Sequence, residues 1–144
     1  MWHLVVNKTM KQVTAIIERG ADGSYSIYTP TLKNAIIGEG KTVAEAKEDF
    51  MIGYQEMVDT YREDGKPVPK ELDGIEFVYQ YDLAAFYEAH PYLNVSKIAQ
   101  YVGINDTLMR QYRRGQYISE AQVLRIQNGI RAIGKELAAT TLVK

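Results

Sequence analysis

The chain has 144 residues, 46% of them hydrophobic and 24% charged, a balance ordinary for a folded protein, so that disorder is not the default and one domain or two small ones fit the length. It holds no cysteine, which excludes disulfides and thiolate metal sites, and no apolar run approaches the roughly 18 residues of a membrane span. The net charge of −1 hides an uneven split: residues 94–144 carry eight Lys/Arg and three Asp/Glu, net +5, whereas residues 1–93 carry nine and fifteen, net −6.

The opening MWHLVVNKTMK lacks the apolar core and cleavage site of a signal peptide, so the expected compartment is the cytoplasm. KQVTAIIERGADGSYSIYTPTL (11–32) reads as two alternating strands around an Asp22-Gly23 turn, ended by Pro30. NAIIGEGKT (34–42) offers a short third strand. At Thr42 the period changes. Thr42 and Glu45 form a capping box, and Val43, Ala46, Phe50, Tyr54, Met57 and Tyr61 then mark one face of a helix that Asp64-Gly65 and KPVP stop. GIEFVYQYDL (74–83) is a β-branched and aromatic run, expected to return to the sheet. The order β-β-β-α-β leaves one helix to cover one sheet face.

From Asp82 onward the pattern is helical. DLAAFYEAH stops at His90-Pro91, VSKIAQYV at Gly103 and DTLMRQYRR at Gly115; a last helix starts at a Ser119 cap and repeats Val123, Ile126, Ile130, Ile133 and Leu137. The expected organisation is α+β, with one domain over 1–81 and an all-α domain over 82–144. In the second, Asn94 caps one helix, Ala99 is small at a helix crossing, Gly103 takes the left-handed turn and Asn105 caps the next helix. Leu108, Met109 and Tyr112 face inward. This is the pattern of a helix-turn-helix, whose second helix enters the major groove. Asp106, Thr107, Arg110 and Gln111 are then the residues facing base edges, since Arg and Gln pair with guanine and adenine. Arg113, Arg114 and Gln116 suit phosphates. Asp106 repels phosphate, although it can accept from cytosine N4 or cap the helix. The plainer alternative is a helical hairpin with a solvated polar face.

Residues 92–137, with GINDTLMRQYRRGQYIS where the recognition helix and its following loop belong, resemble the phage-repressor (Xre-like) helix-turn-helix. That family often has Gln where this chain has Val95. Residues 11–72 are similar to HicB-type antitoxins, through DGSYSIYTPTL, GEGKTVAEAKEDF and EDGKPVP; the family often has Pro-Gly-Cys where Leu32-Lys33-Asn34-Ala35 stand here. The resemblance implies a partial ribonuclease H-like β-β-β-α-β domain, masking of a small basic mRNA-cleaving HicA-like toxin, and repression of the protein's own operon through operator DNA. A homodimer or homotetramer is expected, because one such unit binds DNA weakly and two recognition helices must sit roughly 34 Å apart. A basic partner also matches the −6 segment, although Glu45, Glu48, Asp49, Glu56 and Asp59 equally suit the solvated side of an amphipathic helix.

No catalytic site is expected. Asp22, Glu39 and Asp49 have no spacing that asks for convergence on a metal, and the two histidines, His3 and His90, stand alone. No cofactor or metal is expected either. The tyrosines Tyr54, Tyr61, Tyr101 and Tyr112 are expected on or beside inner faces rather than as stacking platforms for single-stranded RNA. The rival readings are a stand-alone repressor whose front domain oligomerises or senses a ligand, and a small nuclease.

Overall fold

A computed structural model of the chain describes residues 10–144; His3 lies outside them. The elements are β1 (Lys11–Arg19), β2 (Tyr25–Tyr28), β3 (Ile37–Gly40), α1 (Val43–Glu63), a single 3-10 turn (Lys70–Leu72), β4 (Ile75–Tyr81), α2 (Leu83–Ala89), α3 (Val95–Val102), α4 (Asp106–Arg113) and α5 (Glu120–Ala139). The architecture is mixed α+β. The chain divides into two compact units after Asp82, one residue beyond the expected boundary.

The front unit is a four-stranded sheet in the order β3-β2-β1-β4. β1 pairs antiparallel with β2 and parallel with β4, and α1 provides the crossover that the parallel pair requires. The register Val13↔Phe77, Ala15↔Tyr79 and Ile17↔Tyr81 puts six side chains on one face, joined by Ile27 through Ile17↔Ile27. That face packs on α1. Phe50 is fully buried and meets the Phe77 ring edge-on at 4.7 Å, while the Lys47 ammonium lies 4.6 Å from the Tyr79 ring centre and donates to the Tyr81 hydroxyl at 2.7 Å. β3 can come this close to α1 because Gly38 has no side chain: a Cβ there would stand 2.5 Å from the Phe50 Cα.

Two local expectations are corrected. The third strand is shorter than 34–42, because the backbone N–H groups of Lys33 and Asn34 donate to the Glu71 carboxylate at 3.1 and 3.0 Å instead of to a neighbouring strand. Thr42 caps α1 as expected, its hydroxyl accepting from the Glu45 N–H at 3.1 Å, but the Glu45 carboxylate accepts from the Lys41 N–H at 2.9 Å, one residue earlier than a strict capping box predicts.

In the second unit, Tyr87, Ile98, Ala99, Val102, Ile104, Met109, Tyr112 and Ile126 form the core, with Leu93, Leu108, Ile118 and Ile130 packed against it. Tyr101 departs from the expected inward placement and is 54% exposed. It falls one residue before Val102, and a 100° step along the helix carries it off the buried stripe.

Candidate nucleic-acid interface

The α3–α4 pair is built by matched backbone closures. Asn94 accepts from the Lys97 N–H at 3.0 Å and so satisfies one exposed donor at the start of α3. At its end Gly103 adopts φ 73° and ψ 33°, a left-handed geometry that costs any residue with a Cβ. There the Gly103 N–H donates to the Gln100 carbonyl at 3.2 Å and the Ile104 N–H to the Ala99 carbonyl at 2.9 Å, the two bonds of a Schellman closure. Ile104 then buries itself against Ala99 in the core. Asn105 opens α4 by accepting from the N–H groups of Thr107 and Leu108 at 2.9 and 3.3 Å. Thus a three-residue turn joins α3 to α4, with the Gly103 and Ile104 N–H groups and the Asn105 side chain all bonded.

The hydrophobic side of α4 is filled by fully buried Met109, by Tyr112 and by half-buried Leu108. The periodicity leaves Thr107, Arg110, Arg113 and Arg114 exposed, with Gln116 exposed beyond the end of α4; Gln111 is half-buried. Asp106 is not the free outward carboxylate expected. One of its oxygens lies 3.3 Å from the Arg110 guanidinium, and the other is buried without a hydrogen-bond partner among the described residues. The same guanidinium donates to the Ser96 hydroxyl at 3.1 Å. Arg110 is therefore oriented from two sides while more than half of its side chain remains exposed. This arrangement restricts the rotamers of a long side chain before any ligand arrives.

Ser96 had no signal in the sequence, since it stands fourteen residues from Arg110 and meets it only through the turn. Arg125 was likewise unforeseen: its guanidinium lies 2.8 Å from where a Gly103 Cβ would be, which brings an arginine of α5 to the turn. A cleft of about 650 Å³ beside these residues is lined by Tyr87, Pro91, Asn94, Ser96, Arg110 and Arg113. Burial pushes the Tyr87 phenol up to about 12, and its hydroxyl has no hydrogen-bond partner among the described residues. The ring holds the base of this region, yet a buried donor is left unused. His90 is held locally, its Nδ1 lying 2.7 Å from the Phe86 carbonyl oxygen and its ring 4.7 Å from that of Phe86.

No family model, curated protein or solved structure matches the chain. Among the described residues, no group of three or more His, Asp or Glu side chains is placed to hold a metal ion, and no helix is long and apolar enough to cross a membrane.

Proposed function

We propose that the protein is a HicB-type antitoxin that represses its own operon by seating α4 in the major groove of operator DNA, and that masks a small basic mRNA-cleaving HicA-like toxin. The observation that carries the DNA part is the pre-oriented Arg110, held by Asp106 and Ser96 on the exposed face of a capped helix. A guanidinium fixed in this way is suited to the paired acceptors of a guanine edge. Thr107 and Gln111 flank it as further base contacts, and Asp106 acts as its orienting partner. Arg113, Arg114 and Gln116 continue the cationic and polar surface toward the backbone, where they supply salt-dependent affinity.

The antitoxin part draws on the resemblance of residues 11–72 and on the outer face of α1. There Glu45, Glu48, Asp49, Glu56 and Glu63 are exposed around Ile52, which is 50% exposed. A helix face of this composition attracts a basic partner and gives it an apolar anchor.

Binding of the purified protein to duplex fragments from its own promoter, measured across a salt series, tests the first part. Steep salt dependence with one preferred fragment supports it, and equal affinity for all duplexes refutes it. Co-expression with the neighbouring reading frame tests the second part. Capture of a small basic ribonuclease supports masking, whereas its absence favours a stand-alone repressor whose front domain oligomerises or senses a ligand.

A further inference from the structure

Tyr87 poses a problem that the core by itself does not solve. The residue is only 3% exposed, yet its hydroxyl has no hydrogen-bond partner among the described residues. A buried polar group left in this state costs free energy, and a phenylalanine would fill the same space without it. Tyr87 lines the cleft of about 650 Å³ where α2, α3 and α4 meet.

Other donors converge on that cleft. Arg113 lines it, and its guanidinium has no ion-pair partner among the described residues. Burial pushes the Tyr87 phenol up, and the charge of Arg113 opposes that push, so the two groups sense each other. Ser96, also in the lining, accepts from Arg110 at 3.1 Å, which leaves its own hydroxyl hydrogen to donate elsewhere. α3 begins here as well. Asn94 takes the Lys97 N–H at 3.0 Å, while the Val95 and Ser96 N–H groups, in the first turn, have no carbonyl within the helix to donate to. Against these donors the lining sets one carboxylate, Glu88, and an apolar wall that includes Pro91 and Leu93.

We infer that this cleft binds a small organic anion, a phosphate monoester with an apolar or aromatic body. Its phosphate oxygens accept from Arg113, from the Ser96 hydroxyl and from the first turn of α3, where the helix dipole favours negative charge. The Tyr87 hydroxyl donates to one of them and so gains the partner it lacks. The body of the ligand lies on Pro91 and Leu93. The volume suits such a molecule, since small-ligand sites commonly enclose roughly 300–1,000 Å³. A bare phosphate, or one held between two sugars of a duplex backbone, leaves the apolar wall unused. Arg110 and Arg113 are also proposed DNA contacts, so the bound anion and the operator compete. Only this use rests on the operator-binding reading.

Amide NMR of the full-length chain at fixed ionic strength, titrated with phenyl phosphate, tests the site. Saturable shifts at Val95 and Ser96 are expected, with a dissociation constant of about 1 mM or below. Inorganic phosphate should bind at least about fivefold more weakly, for want of an apolar body. Arg113→Ala and Tyr87→Phe are each expected to weaken phenyl phosphate by at least about fivefold, and circular dichroism checks that both remain folded. Arg131→Ala, which removes an exposed cation of α5, leaves the affinity unchanged. Absence of saturation overturns the site. Affinity indifferent to both cleft substitutions overturns it too, since that marks only diffuse attraction to a basic surface, and equal affinity for inorganic phosphate overturns the organic ligand. If phenyl phosphate fails to bind while Tyr87→Phe weakens promoter duplexes, the cleft seats a backbone phosphate and the proposal falls. A chain that binds phenyl phosphate but no promoter fragment keeps the site and removes the operator reading; promoter binding without phenyl phosphate does the reverse.

Discussion

The Arg110 guanidinium donates to the Ser96 hydroxyl across the turn at 3.1 Å, tying the exposed face of α4 to the first turn of α3. With Asp106 at 3.3 Å on its other side, Arg110 is positioned by two polar partners. Arg110→Ala is therefore expected to flatten base preference by about 1–3 kcal/mol at one operator position. Ser96→Ala should shift it the same way by less, leaving total charge unchanged. Competition between point-mutated duplexes measures both effects. Unaltered preference in Arg110→Ala would remove Arg110 from base recognition.

Arg113 and Arg114 are expected to act without regard to sequence. Replacing either with Ala should weaken all duplexes similarly and lower the slope of log K against log salt by about 1. A variant that changes preference with an intact slope contradicts the phosphate role.

Gly103→Ala places a Cβ on a residue at φ 73°, at a cost of about 1–2 kcal/mol, and its clash with the Arg125 guanidinium adds little because that group swings on a flexible stem. The expected outcome is a lower urea midpoint with a larger proportional loss of DNA affinity, because the turn sets the angle between α3 and α4. Asn105→Ala removes the α4 cap and should cost about 1 kcal/mol. Stability equal to wild type in both variants would show that the turn is not what holds the pair.

Tyr87→Phe deletes a buried hydroxyl that has no hydrogen-bond partner among the described residues and is expected to stabilise the second unit by about 1 kcal/mol at neutral pH. The difference should grow in alkali. Burial raises the Tyr87 phenol to about 12, above the roughly 10 of an unfolded tyrosine. The neutral phenol therefore contributes stability that is intact below about pH 10 and is lost as pH rises toward 12. Urea titrations of both proteins at pH 8 and pH 11 separate this residue from the lysines that titrate alongside it. A gap that stays constant contradicts a buried phenol.

Gly38→Ala forces a methyl group to within 2.5 Å of the α1 backbone at Phe50, and backbone cannot rotate away as a side chain can. A loss of about 1–3 kcal/mol follows, confined to the front unit. Thermal unfolding followed by Phe and Tyr absorbance reads it, and a wild-type melt would mean that β3 does not lie against α1 as described.

Local periodicity and end chemistry determined most of the elements directly. Val13, Ala15 and Ile17 alternate because a strand repeats every two residues. Gly65, Gly103 and Gly115 end helices because each takes a positive φ that side chains resist. Asn94, Asn105 and Ser119 begin helices because their oxygens accept exposed N–H groups. The exposed arginines of α4 followed from the same 3.6-residue arithmetic. What that arithmetic does not carry is any pairing between residues far apart in the chain. Glu71 holding the loop at Lys33 and Asn34, Ser96 bonding Arg110 and Arg125 reaching the Gly103 turn depend on how elements pack. Only tertiary structure decided those, because such contacts are set by distances across the fold, and a residue's identity says what it can bond but not which group will be beside it.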